Sequence, residues 1–202
     1  MTKKRIILIG GSPTAGKSYT ARKIAEELKL PWISTDTIRE QMREIVRKED
    51  YPVLFLHHKA TPKMGVEFLK KYSPKEIVEI VNNESLDVWK GVKALIDTDY
   101  VWKSYLIEGV AILPSLIHQI KGKNIKALFL VDEDIKRVRQ SIFTRGLWDE
   151  ADKYPDSVKE KEVEWVMAFN EFIKKEAKKY GFPVVNVGDR KDYLNKIKKI
   201  IK

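Results

Sequence analysis

The stretch Gly11-Ser12-Pro13-Thr14-Ala15-Gly16-Lys17-Ser18 decides how this chain of 202 residues is interpreted. It matches the pattern G-x-x-x-x-G-K-[S/T] at every fixed position. It also lies between an apolar run that ends at Ile9 and a segment of helical character at residues 19–25. A glycine-rich turn between a strand and a helix is the context in which this pattern forms a phosphate-binding loop. The sequence therefore predicts an α/β protein whose P-loop binds a nucleoside triphosphate.

The residue types of this loop suit contact with a triphosphate. Glycine lets the backbone curl around a phosphate, and N–H groups at the start of the following helix point at that phosphate. We expect Lys17 to neutralise β- and γ-phosphate oxygens and the Ser18 hydroxyl to bind Mg²⁺. The predicted nucleotide-binding residues are Gly11, Thr14, Ala15, Gly16, Lys17, Ser18 and Tyr19.

Short runs of β-branched and apolar residues alternate with helical segments along the chain. Most of these runs are continuously apolar, as expected for parallel strands covered on both faces. This alternation predicts a five-stranded parallel sheet flanked by helices. The predicted strands are residues 5–9, 32–34, 105–108, 127–131 and 184–187.

The chain length suits a single domain, residues 1–202. Residues 51–96, between the second and third predicted strands, have the character of helices and loops. We predict that they form a helical insert that covers an acceptor. Residues 146–156 are polar and rich in turn formers, and we predict that they form a mobile lid.

Three patterns of the form S/T-x-x-E predict capping boxes at helix starts. They begin at Thr37, Ser73 and Ser157. The pattern at Ser73 also has a proline at the first helical position, which is the favoured place for that residue.

Composition excludes some kinds of site and favours others. The chain has no cysteine, which excludes disulfides, thiolate catalysis and cysteine-based zinc sites. Lys and Arg total 39 against 29 Asp and Glu, and the resulting net charge of +10 favours anionic partners. Nucleotides, phosphorylated metabolites and RNA all fit that charge. The abundance of Lys and Glu predicts a heat-adapted source.

No apolar run approaches the ~20 residues that a membrane span requires. The apolar run at residues 6–9 is too short for the core of a signal peptide and continues directly into the glycine-rich loop. We therefore expect a cytoplasmic protein without a membrane partner.

Two carboxylates follow predicted strands at the edge where ligands bind in such sheets. Asp36 follows the second strand, where it is a candidate to accept a proton from an acceptor hydroxyl or to position Mg²⁺. Asp and Thr at this place are also good helix N-caps, so a capping role stays open. Glu108 ends the third strand, and we predict that it contacts the substrate and organises Mg²⁺.

Arginines accompany both ends of the predicted site. Arg39 and Arg43 follow Asp36 at helical spacing and suit an acceptor that carries a phosphate or a carboxylate. A solvated helix face is the alternative for this pair. Arg145, at the end of a helix before the predicted lid, is the best candidate to stabilise the transferring phosphoryl group. Arg139 is a weaker candidate for the same role.

Two further patterns carry weaker predictions. Residues 188–190, which follow the last predicted strand, are a candidate base-binding loop. His57 and His58 have no metal-ligand pattern around them, so we expect them to serve local packing.

Blocks spread over about a third of the chain resemble the archaeal 2-phosphoglycerate kinase family within the P-loop kinases. They are Ile9-Gly10-Gly11-Ser12 with Gly16-Lys17-Ser18, then Ile33-Ser34-Thr35-Asp36-Thr37-Ile38-Arg39-Glu40, then Ile107-Glu108-Gly109-Val110 with Pro114. The resemblance implies a five-stranded parallel sheet with a lid. It also implies ATP-dependent phosphorylation of 2-phosphoglycerate to 2,3-bisphosphoglycerate. Residues 51–96, which should contact the acceptor, match the family less well.

These observations predict an ATP- and Mg²⁺-dependent small-molecule kinase, with Lys17, Asp36 and Arg145 as its catalytic residues. Two alternatives stay open. One is a kinase directed at RNA, acting on a polynucleotide 5′-hydroxyl or on tRNA, although no RNA-binding module is evident. The other is a nucleotide-dependent switch without an acceptor.

Overall fold

In the computed structural model, the described residues are 4–98, 103–121, 123–145, 151–188 and 192–202. Five strands form one sheet in the order β2-β3-β1-β4-β5, and all neighbouring strands pair in parallel. This confirms the predicted five-stranded parallel sheet. The strands are β1 (Arg5–Gly11), β2 (Trp32–Ser34), β3 (Ser104–Glu108), β4 (Ile125–Val131) and β5 (Val184–Asn186).

Helices connect every pair of consecutive strands, as parallel pairing requires. The α-helices are α1 (Lys17–Leu28), α2 (Thr35–Ile45), α3 (Pro62–Lys71), α4 (Pro74–Asp97), α5 (Pro114–His118), α6 (Ile135–Arg145), α7 (Asp156–Tyr180) and α8 (Tyr193–Ile201). Two short 3₁₀ helices span Pro52–Phe55 and Ala151–Lys153. Within the described parts of the chain, no helix is both long and apolar enough to cross a membrane.

The sheet is buried on both faces, and strand β1 shows how. Ile6 and Leu8 pack into one apolar cluster, which includes side chains of α4, α5 and α7. Ile7 and Ile9 point to the opposite face and pack with α1 and α8. Alternate residues of one strand therefore serve two separate cores, which is why the strand sequences are continuously apolar.

The strand register brings the ends of three strands together. Ile9 of β1 pairs with Glu108 of β3, and Ser34 of β2 pairs with the same Glu108 from the other side. Because parallel strands end at one edge of the sheet, the P-loop after β1 lies beside the residues that follow β2 and β3. The fold thus gathers the predicted site from three separate parts of the sequence.

Of the three predicted capping boxes, only the one at Ser73 is confirmed. The Ser73 side chain accepts from the N–H of Glu76, and a Glu76 carboxylate oxygen accepts from the N–H of Ser73 at 2.7 Å. The box at Thr37 is wrong, because α2 begins directly after β2 and its N-cap is Ser34. The box at Ser157 is also wrong, because α7 begins at Asp156 after a Pro155 N-cap in extended conformation.

The described elements between β2 and β3 are all helices. After α2 come the 3₁₀ helix, α3 and α4, and these lie beside α7. Helices α2 and α4 approach closely at Gly91, where an added Cβ would lie 2.6 Å from the Ile38 side chain. This close approach carries one face of α4 to the edge of the sheet where β2 and β3 end.

Candidate active site

The P-loop connects the end of β1 to the start of α1 through two backbone positions in the left-handed region. Thr14 has φ of 61° and Gly16 has φ of 70°. Gly11 is tightly enclosed, since a Cβ there would lie 2.1 Å from the carbonyl oxygen of Leu130. The N-terminus of α1 has no side-chain cap, so its first N–H groups are free of the usual protein partner. Such uncapped N–H groups suit a bound phosphate.

Lys17 is 9% exposed, and its ammonium donates a hydrogen bond of 2.7 Å to the carbonyl oxygen of Ser12. Burial lowers the pKa of Lys17, while the nearby carboxylates of Glu108 and Asp36 act in the opposite direction. The ammonium is therefore held inside the loop, in a place where phosphate oxygens can replace the carbonyl.

Ser12 is in turn fixed by a buried asparagine of α7. The Ser12 hydroxyl donates to Oδ1 of Asn170 at 2.6 Å, and the same oxygen accepts from the N–H of Asp132 at 3.2 Å. The amide of Asn170 donates to the carbonyl oxygen of Asp132 at 2.7 Å. Asn170 and Ser12 are both fully buried. One side chain thus connects the P-loop, the end of β4 and helix α7.

Glu108 is only 1% exposed, and its Oε1 has no hydrogen-bond partner. Desolvation raises the pKa of this carboxyl group, against the effect of Lys17 and of the Ser18 hydroxyl. A buried carboxylate without a full set of partners is costly to stability. Its unpaired oxygen beside the Ser18 hydroxyl fits a magnesium ion, which needs oxygen ligands and takes few of them from protein in phosphate sites.

Asp36 is not the cap of α2. The Ser34 side chain accepts from the N–H of Asp36 at 3.2 Å, so the capping role belongs to Ser34. The Asp36 carboxylate is exposed, lies 3.1 Å from the Arg39 guanidinium, and lines the same cleft as Lys17 and Glu108. The alternative that Asp36 serves only as a helix N-cap is therefore wrong.

The two arginines of α2 meet a glutamate of α4 that the sequence did not single out. Arg43 is buried and donates to the Leu54 carbonyl at 2.6 Å, to Glu40 at 2.6 Å and to Glu84 at 3.1 Å. Arg39 lies 3.7 Å from Glu84 and 3.3 Å from Glu40. Burial raises the pKa of Glu84, while both arginines counter that effect. Only the tertiary contact of α2 with α4 reveals Glu84.

The helical segment supplies a second wall of the cleft, which has a volume of about 650 Å³. The sequence did not indicate which individual residues form this wall, because apolar side chains at helical spacing are also the pattern of ordinary core residues. His57 and His58, expected to serve local packing, do contact phenylalanines but also line the cleft. The segment contributes His57, His58, Lys59, Phe68, Ile77, Val81 and Glu84 to this wall, and α7 adds Trp165.

The structure separates the arginines that follow β4. Arg145 is the last residue of α6 and lines the cleft. Arg139 is exposed and forms an ion pair with Glu160, away from the cleft lining. Of the predicted lid, residues 146–150 lie outside the described part, and residues 151–156 include a 3₁₀ helix and the start of α7.

The remaining residues predicted to contact the nucleotide differ in whether they line the cleft. Pro13, Thr14, Gly16, Lys17, Ser18 and Tyr19 line the cleft, whereas Gly11 and Ala15 are buried and do not. Of the candidate base-binding loop, Gly188 is described and its N–H donates to Oδ1 of Asn186 at 2.9 Å. Asp189 and Arg190 lie outside the described residues.

Comparison with known proteins agrees with this architecture. Residues 2–96 match the Zeta toxin family. The fold is similar to that of shikimate kinase from Acinetobacter baumannii, with a TM-score of 0.54 and 15% identity over 99% of this chain and 93% of that one. It is also similar to a gluconokinase from Sinorhizobium meliloti, with a TM-score of 0.51 and 13% identity over 98% of this chain and 90% of that one.

The sheet order, the loop that matches the P-loop pattern and the adjoining cleft define the fold of a P-loop NTPase. Within that class, the chain resembles the 2-phosphoglycerate kinases of archaea. It is 30% identical to the protein of that name from Methanothermobacter thermautotrophicus over 98% of this chain and 64% of that protein. For the protein from Methanocaldococcus jannaschii, the identity is 28% over 89% of this chain and 57% of that protein. The chain thus spans less than two thirds of the length of these relatives.

Proposed function

We propose that this chain transfers the γ-phosphoryl group of ATP, in the presence of Mg²⁺, to a hydroxyl group of a small anionic acceptor. The observation that carries the proposal is one cleft lined by Lys17, Asp36 and Glu108, with the P-loop on one side and the helical wall on the other. A protein that only bound nucleotide would need no second wall of this kind. The similarity to the archaeal enzymes supports 2-phosphoglycerate as the first acceptor to test.

On the nucleotide side, the uncapped N–H groups at the start of α1 bind the β-phosphate. Lys17 exchanges the Ser12 carbonyl for β- and γ-phosphate oxygens and neutralises them. Arg145, at the end of α6, neutralises charge that develops on the transferring group. Tyr19, whose side chain is 51% exposed in the cleft, is placed to cover the nucleotide.

Ser18 and Glu108 are the residues that would hold Mg²⁺, because their side-chain oxygens are ligands of the kind that this ion requires. The ion supplies charge neutralisation between the β- and γ-phosphates. Because burial raises the pKa of Glu108, a nearby cation would favour its ionised form and offset the cost of its burial. This is a physical reason for a glutamate at the end of a buried strand.

On the acceptor side, Asp36 orients the attacking hydroxyl and accepts its proton. A bond forms between the acceptor oxygen and the γ-phosphorus, the bond from that phosphorus to the β-phosphate oxygen breaks, and ADP leaves. Arg39 holds Asp36 in place at 3.1 Å. Arg43 supports this arrangement from the buried side.

The test is ADP release from ATP and Mg²⁺ with a panel of acceptors. The panel contains 2-phosphoglycerate, nucleoside monophosphates, sugar phosphates and RNA with a 5′-hydroxyl end. We expect one small acid of this panel to stimulate release, and the stimulation to be lost in Lys17→Ala. Asp36→Asn should lower the acceptor-dependent kcat by about 10²–10⁴-fold. Asp50→Asn, which alters an exposed aspartate outside the cleft, is the matched control.

Each result has a distinct meaning. Full turnover in Asp36→Asn would remove Asp36 from proton transfer and leave the kinase assignment intact. Stimulation by RNA alone, with steep dependence on salt, would replace the small acceptor with a polynucleotide. Slow hydrolysis that no acceptor stimulates would identify a nucleotide-dependent switch instead.

A further inference from the structure

The arginines of α2 are poor candidates to bind the acid group of an acceptor. Arg39 and Arg43 face three carboxylates, those of Asp36, Glu40 and Glu84, at distances of 2.6 to 3.7 Å. Their charge is therefore already balanced within the protein. An acceptor anion would have to displace one of these carboxylates, and Glu84 is itself buried.

Trp165, in contrast, has an N–H group without a partner among the described residues. Its side chain lines the cleft, the residue is 6% exposed, and no described group accepts a hydrogen bond from the buried Nε1. Buried indole N–H groups normally find an acceptor, so each exception calls for an explanation. An oxygen atom of a ligand in the cleft would supply the missing acceptor.

His57 has the same property. Among the described residues, its buried Nε2 has no partner, and the residue lines the same cleft. The ring is fixed edge-on to Phe68, with centroids 4.7 Å apart and an interplanar angle of 89°. Burial lowers the pKa of His57, and Arg39 and Arg43 lower it further, so the neutral ring has a single N–H group, which is available to a ligand when the proton is on Nε2.

Lys59 supplies the positive charge that the balanced arginines do not. It is exposed, lines the cleft, and forms no ion pair with any described residue. Phe68, Ile77 and Val81 lie on the same wall and offer apolar surface to a carbon skeleton. The wall thus combines a free cation, two unpaired ring nitrogens and an apolar patch.

We propose that Lys59, His57 and Trp165 hold the acid group of the acceptor, a phosphate or a carboxylate, and that they determine acceptor specificity. This inference rests on the proposed function, since it assigns the anion-binding part of the same cleft. It moves the anion away from Arg39 and Arg43, whose part is then to position Asp36 and Glu84.

The test uses variants that keep an aromatic ring and remove its N–H donor. Trp165→Phe and His57→Phe are compared with Trp89→Phe and His118→Phe, which alter residues outside the cleft, and Lys59→Ala removes the cation. Calorimetry measures the Kd of 2-phosphoglycerate, glycerate and glycerol 2-phosphate while ADP and Mg²⁺ fill the P-loop. Acceptor-stimulated ADP release gives the KM values for 2-phosphoglycerate and for ATP.

We expect each variant of the three proposed residues to raise Kd and KM for 2-phosphoglycerate about 10-fold or more, because each loses a hydrogen bond to a charged group. The KM for ATP should stay within about twofold, and the control variants should match the wild type. A parallel loss of glycerol 2-phosphate binding would assign the phosphate to these donors, and a parallel loss of glycerate binding would assign the carboxylate.

Failure of this inference is distinguishable from failure of the proposed function. Acceptor-stimulated turnover with unchanged KM in all three variants would overturn the inference and leave the kinase activity standing. Wild-type binding of an anion that the variants lose, without any turnover, would support the inference and contradict the kinase activity. Wild-type protein that binds none of the three anions would overturn the inference directly.

Discussion

The ammonium group of Lys17 donates a 2.7 Å hydrogen bond to the carbonyl oxygen of Ser12, within the loop that both residues share. The contact keeps a buried cation partnered before any phosphate arrives. Because Ser12 is tied to Asn170 of α7, the position of Lys17 depends on a helix far away in the sequence.

Removing the Lys17 ammonium should abolish activity without unfolding the protein. In Lys17→Ala we expect kcat/KM for ATP to fall by about 10²–10³-fold or more, since charge neutralisation at the transferred group is lost. Lys23→Ala, which alters an exposed lysine of the same helix, should leave this value unchanged. Steady-state ADP release measures both variants, and thermal unfolding checks that they are folded. Equal activity of the two variants would exclude Lys17 from catalysis.

Arg145 and Arg139 provide a test of which arginine acts. Arg145 lines the cleft, while Arg139 forms an exposed ion pair with Glu160. We expect Arg145→Ala to lower kcat by about 10²–10³-fold, and Arg139→Ala to change it by less than about threefold. Single-turnover measurement of phosphoryl transfer separates this effect from product release. The reverse order of the two effects would show that the cleft assignment is incorrect.

Asn170→Ala should lower the free energy of unfolding by about 2–4 kcal/mol, because it leaves buried groups of Ser12 and Asp132 without partners. It should also raise the KM for ATP, since the P-loop loses its connection to α7. Asn195→Ala, which alters an exposed asparagine of α8, should cost less than about 0.5 kcal/mol. Urea denaturation provides the measurement. A loss of stability with an unchanged KM for ATP would confine Asn170 to a structural role.

Glu162 predicts a specific dependence of stability on pH. It is fully buried, neither carboxylate oxygen has a partner within the described parts of the chain, and desolvation raises its pKa from 4.5 to about 7. A raised pKa in the folded state means that this group's contribution to stability is complete below pH 4.5 and is lost as the pH rises towards 7. The loss should be about 3 kcal/mol.

Glu162→Gln removes the ionisable group, so its free energy of unfolding should lack this decline between pH 4.5 and 7. Glu164→Gln, which alters an exposed glutamate of the same helix, should retain the decline. Denaturation curves at a series of pH values test the pair. A decline of equal size in both variants would assign the pH dependence to other groups.

The central part of the site could be predicted from sequence because it depends on local patterns. The P-loop is a run of neighbouring residues between a strand and a helix, and Glu108 is the last residue of a buried strand. Both positions need only the rule that parallel strands end at one edge. Capping was less predictable, since α2 starts at Thr35 and removes the helix start expected at Thr37.

The individual residues of the second wall of the cleft could not be predicted from sequence. Trp165 and Val81 have the spacing of ordinary core residues, and nothing local marks one as lining a cleft. In the sequence, Glu84 is one charged residue among several in a long helix. Only the packing of α4 against α2 at Gly91 distinguishes it from the others. That packing buries Glu84 beside Arg43, and the two side chains form an ion pair.

By itself, the sequence determined the class of fold and the phosphate-binding loop, because strand periodicity and a glycine-rich turn act over a few neighbouring residues. Only the tertiary structure decided that Ser34, rather than Asp36, caps α2, and that Arg43 is turned inward. It also decided which donors of the cleft are left without partners. The cap depends on where the pairing of β2 with β3 ends, whereas the other outcomes depend on side-chain contacts between distant segments. Desolvation and charge pairing at such contacts have no counterpart in local sequence.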